Sequence, residues 1–296
     1  MSAVDFSIST RGTPPDPSSD RVRRRWALGR GVSAIRLSRS ATKLQFRFPD
    51  QTTFVYSFTD RRICAWPVRD ASAETVRHHL LDQVLPRLLA HDGRLVLHGG
   101  SISIAGSAIA FVGGTGLGKS TLVASLAAAG HELLCDDGLV LGTHGDTTMV
   151  RPTYRSLRLW PEAVTKVFAQ PPTVAPMAHY STKRRVQLSG AGGPLDRWYP
   201  LTAVFAMEPA APDDDGITLC RMPSRDACMT LIRNAFQLDP SDREQARRLL
   251  AAAADVAERV PAFTLAYPRD FAMLPKVRAT VLQSQAEWAT ATAEGG

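Results

Sequence analysis

From Gly113 to Ser120 the chain reads Gly-Gly-Thr-Gly-Leu-Gly-Lys-Ser, which satisfies G-x-x-x-x-G-K-[ST] and demands one particular local fold. Such a loop wraps a phosphate chain only when a strand delivers it and a helix begins directly after it, with its first N–H groups pointing at the ligand. The flanks comply. Ser107 to Val112 (SAIAFV) is a short apolar run suited to a buried strand, and Lys119 to Ala129 is rich in helix formers, with Gly130 as a stop. Glycines allow close approach of the backbone, Lys119 reaches the β and γ phosphates, and the Ser120 hydroxyl suits Mg2+. The expected nucleotide-binding residues are therefore Gly113, Gly114, Thr115, Gly116, Leu117, Gly118, Lys119, Ser120 and Thr121.

A second feature follows at once. After Gly130 comes His-Glu-Leu-Leu-Cys, which reads as a short strand, and then Asp136-Asp137-Gly138. A helix of about eleven residues rises about 16 Å, enough for a right-handed crossover that sets this strand parallel to the first. Ligands of open parallel sheets sit beyond the carboxyl ends of the strands. Asp136 and Asp137 are thus expected beside the phosphates, where one carboxylate can serve Mg2+ and the other can accept a proton from an attacking hydroxyl. The competing reading is a solvated Asp-Asp-Gly turn. His98 stands where the apolar run Leu95-Val96-Leu97 ends before Gly99-Gly100; it either caps a carbonyl as a neutral ring or belongs to the phosphate site.

Phosphoryl transfer spreads negative charge over peripheral oxygens, which cations must stabilise. Arg151, Arg155 and Arg158 form one candidate group, and Arg158 is taken as the catalytic cation. Lys183-Arg184-Arg185 forms another, between a proline-rich stretch and a glycine-rich one, and is expected as a mobile basic loop.

Leu97-His98-Gly99, then GGTGLGKST, then LLCDDG resemble, in order and spacing, the catalytic core of the HPr kinase/phosphorylase superfamily. Leu157-Arg158-Leu159-Trp160-Pro161 and Leu265-Ala266-Tyr267-Pro268 extend the likeness more weakly, over about residues 92 to 280. The resemblance implies an α/β P-loop kinase core of the HPr kinase/PEP carboxykinase-like type that moves phosphate from ATP to a serine hydroxyl. It implies that Lys119 and Ser120 serve ATP and Mg2+, that Asp136 is the catalytic base, that Asp137 is a metal-side carboxylate, and that His98 lies near the transferred phosphate. The Val-Glu-Ile continuation typical of the bifunctional enzymes is replaced by Gly138-Leu139-Val140-Leu141, and no clear copy of their signature loop follows. The departure bears against the reverse, phosphate-removing activity, whose existence the sequence leaves open. In this the chain is more similar to the shorter HPr-kinase-related proteins that accompany peptide modification, including kinases of lasso-peptide precursors. The best-known relatives form rings, which leaves a homo-oligomer open.

Composition narrows the setting. The 296 residues, 44% hydrophobic and 21% charged, can bury a sizeable core. Net charge is +7, yet nine basic and no acidic residues lie between Arg21 and Arg47, so the rest of the chain is about two units negative. A solvated basic arm or a docking surface for an acidic peptide is expected there, rather than a nucleic-acid site. No apolar run approaches a membrane span, residues 1–20 lack a signal-peptide core, and Cys64, Cys135, Cys220 and Cys228 show no metal or disulfide spacing. These features point to the cytoplasm.

The expected layout is a disordered basic head (residues 1–25), a small strand-rich α+β module (26–91) and the catalytic domain (92–296). Within them, Lys43–Phe48, Thr52–Phe58 and Arg62–Val68 read as strands, and a helix over 73–90 is kinked or restarted by Pro86. Further on come a strand over 201–207, a turn at 213–216, and helices over 242–260 and 274–291. The expected activity is ATP- and Mg2+-dependent phosphorylation of a serine on a peptide or small protein. An ATPase or nucleotide-driven switch without a covalent acceptor, and a kinase of a small hydroxyl metabolite such as free serine, remain open alternatives.

Overall fold

In a computed structural model of the chain, residues 5–8, 14, 21–26, 35–170, 172–188, 194, 196–211, 215–239 and 241–294 are described. The chain divides into two units, one made of Met1–Leu85 and Met177–Ser181, the other of Pro86–Pro176 and Thr182–Gly296.

Strand-length runs with turn residues between them build the first unit. Its strands are β1 (Asp5–Ile8), β2 (Arg21–Trp26), β3 (Ile35–Arg39), β4 (Lys43–Phe48), β5 (Thr52–Ser57) and β6 (Arg62–Pro67). They form one sheet in the order β1-β6-β5-β4-β3-β2, antiparallel except where β1 runs parallel to β6. Opposed residues such as Phe46 and Phe54 are fully buried, the cross-strand aromatic pairing that stabilises such a sheet. Of the expected disordered head, Asp5–Ile8 and Arg21–Trp26 are strands, and the remainder apart from Pro14 lies outside the described residues. Helix α1 (Ala73–His79) is capped by the Ser72 hydroxyl, which accepts from the Thr75 N–H. A π-helical segment, Leu80–Val84, separates it from α2 (Leu85–His91). Pro86 has no N–H to donate, and its ring crowds the carbonyl four residues back, so the loosened coil lies where the proline requires it.

The second unit is built on a nine-stranded mixed sheet. In chain order its elements are β7 (Leu95–Leu97), β8 (Gly99–Ile104), β9 (Ser107–Gly113), α3 (Lys119–Ala128), β10 (Glu132–Cys135), β11 (Leu139–His144), β12 (Thr147–Arg151), β13 (Ser156–Leu159), α4 (Pro161–Val167), β14 (Thr173–Ala178), β15 (Ser181–Gln187), β16 (Tyr199–Pro209), β17 (Thr218–Arg221), α5 (Ser224–Asn234), α6 (Arg243–Arg259), β18 (Ala262–Tyr267) and α7 (Leu274–Glu294). The strand order is β10-β8-β9-β16-β12-β11-β7, with β18 beside β16 and β17 beside β18. Strands β9, β16 and β18 are parallel. Because β8 is antiparallel to both β9 and β10, β10 runs parallel to β9 one strand away. The loop after β9 and the acidic doublet after β10 therefore share one edge of the sheet.

Side-chain alternation makes two cores, one on each face. Ala108, Ala110 and Val112 of β9 pack with residues of α5 and α6 such as Leu231 and Val256. Ile109 and Phe111 pack on the other side with Leu122 and Leu126 of α3 and Val277 and Val281 of α7. A separate three-stranded sheet, β13-β15-β14, sends Leu157, Leu159 and Val186 into that second cluster. Its opposite face carries Arg158 and Arg185. Helix α6 is capped by Asp242, whose carboxylate accepts from the Glu244 and Gln245 N–H groups. Residues 189–193, which include the expected glycine-rich stretch, and residues 213 and 214 of the expected turn at 213–216 lie outside the described residues. Among the described residues, no helix is long and apolar enough to cross a membrane.

Candidate functional site

Parallel pairing of β9 with β16 sets Gly113 opposite Met207. A Cβ on Gly113, whose φ is +139°, would stand 2.7 Å from the Met207 carbonyl oxygen, so only glycine lets the loop leave the sheet here. The Gly113 N–H donates to Asn234 Oδ1 at 3.0 Å. Four residues of loop later, Gly118 caps α3 in a left-handed conformation and its carbonyl accepts from the Leu122 N–H at 2.9 Å. Thr115 and Gly116 are exposed at the loop tip, while Lys119 is only 5% exposed. The Lys119 ammonium donates to the Gly113 and Gly114 carbonyls at 2.8 and 3.0 Å. Loss of hydration brings its pKa down from 10.5 to about 8; Lys183 and Arg158 push the same way and Asp136 opposes them.

The doublet is not a solvated turn. Asp136 is fully buried and Asp137 is 6% exposed. Ser120 Oγ donates to Asp136 Oδ1 at 2.9 Å, and the Arg158 backbone N–H donates to Asp136 Oδ2 at 2.9 Å. Asp137 adopts φ +69°, a left-handed conformation that aspartate tolerates better than most residues. Its carboxylate is ion-paired with the Arg158 guanidinium and lies 3.4 Å from His98 Nδ1. Ser120 was expected beside Asp137 at the metal; the structure sets it against Asp136, and the left-handed Asp137 backbone turns the second carboxylate toward His98 and Arg158. The His98 N–H donates to the Asn234 carbonyl at 2.7 Å, and the imidazole meets Phe236 edge-on. Gly100 clears space for this arrangement: a Cβ there would lie 2.8 Å from Val123 Cγ2 and 3.5 Å from Asp136 Oδ1.

Antiparallel register places Arg158 opposite Arg185, and alternation puts Lys183 on the same face of β15 as Arg185. The segment 183–185 is thus strand where a mobile loop was expected, because Lys183 and Arg185 alternate with Arg184 and Val186 against a partner strand. Burial and the neighbouring Arg158 hold the Lys183 ammonium below its ordinary pKa, while Asp136 pulls it back up. The same ammonium lies 5.2 Å from the centre of the Trp160 ring. Other candidate cations are engaged elsewhere: Arg185 donates to Ser156 Oγ at 2.9 Å, Arg155 to Glu132 at 3.2 Å, and Arg151 lies over the Trp198 ring. Of the sequence candidates, Lys119, Ser120, Asp136, Asp137, His98, Arg158 and Lys183 converge. Asn234 has no sequence signal at all, because its partner Gly113 lies 121 positions away.

The donor set fits magnesium. A serine hydroxyl beside carboxylates is a hard oxygen environment, and Mg2+ is held by one or two carboxylates together with substrate phosphates and water. Among the described residues, no cluster of three or more His, Cys, Asp or Glu side chains could hold a metal by itself.

No protein-family model matches the chain, and no curated protein matches its sequence significantly. Among solved structures, an HPr(Ser) kinase/phosphatase from Coxiella burnetii matches over 64% of this chain and 98% of that one, at 10% identity and a TM-score of 0.33. At that distance no residue role transfers, and the assignments rest on the geometry of the loop, the doublet and the cations.

Proposed function

We propose that the protein is an ATP-dependent kinase that transfers the γ-phosphoryl group to a serine hydroxyl of a peptide or small protein, a ribosomally made precursor peptide of the lasso type being the favoured acceptor. The observation that carries the reading is the bond from Ser120 to the fully buried Asp136, beside a buried Lys119 and a second carboxylate flanked by His98 and Arg158. A phosphate-binding turn that only shaped the backbone has no need of that convergence. The serine acceptor rests on the order of the His98-Gly99 pair, the phosphate loop and the acidic doublet.

In this reading Ser120 and Asp136 would hold Mg2+, which when bound would offset the charge of the triphosphate. The acceptor's proton goes in this reading to Asp137, which is paired with Arg158 and lies beside His98, in place of Asp136, the base that the family resemblance implies. The serine oxygen forms its bond to the γ-phosphorus, the bond from that phosphorus to the β–γ bridging oxygen breaks, the hydroxyl proton passes to Asp137, and ADP departs. Lys119, Arg158 and Lys183 stabilise charge on the transferring group. The basic stretch from Arg21 to Arg47 suits an acidic peptide, and weaker substrate binding at raised ionic strength is the corresponding expectation. An ATP-consuming enzyme of this kind belongs in the cytoplasm.

Incubation with γ-labelled ATP and Mg2+ tests the reading. Label on a serine-bearing peptide supports it; release of free phosphate alone identifies an ATPase or switch, and a labelled small molecule identifies a metabolite kinase.

A further inference from the structure

The phosphate loop has a second side. Successive residues of a helix are turned about 100° from one another, so while Ser120 meets Asp136, Thr121 faces elsewhere. It lines a cleft of about 440 Å³ shared by Leu117 and Gly118 of the loop, the start of α4, and the segment after β18. Three aromatic or apolar walls meet there. Trp160, 54% exposed, stands at the N-terminus of α4; Tyr267 ends β18, nearly buried; Phe271 begins the short 3-10 turn Phe271–Met273. The Tyr267 hydroxyl approaches within 3.6 Å of where a Cβ on Gly118 would stand, so the aromatic wall is continuous with the phosphate loop. At the rim, Arg269 and Asp270 are exposed and supply a donor and an acceptor.

We propose that this cleft receives the base and ribose of the nucleotide whose phosphates the loop takes, with Trp160, Tyr267 and Phe271 enclosing the base and Arg269 and Asp270 reaching the ribose hydroxyls. The inference rests on the phosphate-loop reading and extends it to the nucleoside. Three observations carry it. The cleft shares its floor with the loop, and its volume falls within the range of small-molecule sites. Its lining combines stacking surfaces with a few polar groups, the mixture that bases and sugars select. Tyr267 is held as a neutral phenol well past physiological pH, since burial raises its pKa to about 12, and a neutral hydroxyl does not repel an α-phosphate.

Calorimetric binding of Mg·ATP and of Mg·tripolyphosphate, which lacks a nucleoside, tests the assignment without reading catalysis. Phe271→Ala should weaken ATP binding about tenfold, in line with loss of one stacking surface, and leave tripolyphosphate binding unchanged. Trp160 emission should respond to ATP in the wild type, and Trp160→Phe should remove that response. Equal weakening of both ligands, or no change in either, overturns the cleft assignment while sparing the phosphate loop. Wild-type protein that binds neither ligand overturns the loop reading and the cleft with it.

Discussion

Lys119 offers a test that needs no acceptor substrate. Its ammonium is buried, and its pKa in the free protein is about 8. A triphosphate binds only the charged form and holds it charged, so nucleotide binding must draw in a proton wherever the free lysine has begun to lose one. With a pKa near 8, the bound state gains about half a proton at about pH 8 and about nine-tenths at about pH 9. The apparent Kd should therefore stay flat below about pH 7, rise about twofold by pH 8 and rise about tenfold by pH 9. Titration calorimetry in two buffers of different ionisation enthalpy reads the proton count directly. Lys119→Arg, which stays charged throughout, should bind with no proton uptake. The same depressed pKa has a consequence for the unliganded fold. Between about pH 8 and 10.5 the unfolded chain holds a proton that the folded protein has released, so stability should rise with pH across that window, and Lys119→Met should lose the rise. A wild-type Kd that stays constant to pH 9, with no proton uptake at pH 8, refutes the reasoning.

Two further predictions concern residues that position or assist. Asn234→Ala removes the acceptor of the Gly113 N–H and should cost about 1–3 kcal/mol, seen as a lower unfolding temperature together with weaker ATP binding. Lys183→Met should lower the rate of phosphoryl transfer by about 10²-fold or more while changing ATP affinity little, because a cation aimed at the transferring group acts mainly in the transition state. Equal effects on binding and rate would place Lys183 on the ground-state phosphates.

The legible parts of the site were the local ones. Strand, loop and helix from Ser107 to Ala128 follow from a contiguous pattern, and the helix rise alone brings the doublet to the loop's edge of the sheet. The choice between the two carboxylates was not legible. Neighbouring residues of an extended strand point to opposite faces, and which of them turns back to Ser120 depends on the left-handed backbone at Asp137, a conformation many residues could in principle avoid. Lys183 was named among the candidate cations, but proline and glycine around it suggest a loop, and only pairing with β13 makes it a strand. Asn234 stayed invisible because a single asparagine at a helix end carries no motif. The weak likenesses at Trp160 and Tyr267 turned out to line the cleft beside the loop, which sequence alone marked without explaining.

The most direct test of the phosphoryl-transfer centre is a single-turnover measurement of γ-label transfer from ATP to a seryl peptide by Asp137→Asn and Asp136→Asn, each paired with its Mg2+-dependent ATP affinity. Asp137→Asn should lower transfer about 10²- to 10⁴-fold with ATP binding intact, and Asp136→Asn should weaken Mg2+-dependent ATP binding itself. Undiminished transfer by the Asp137 variant would contradict the account.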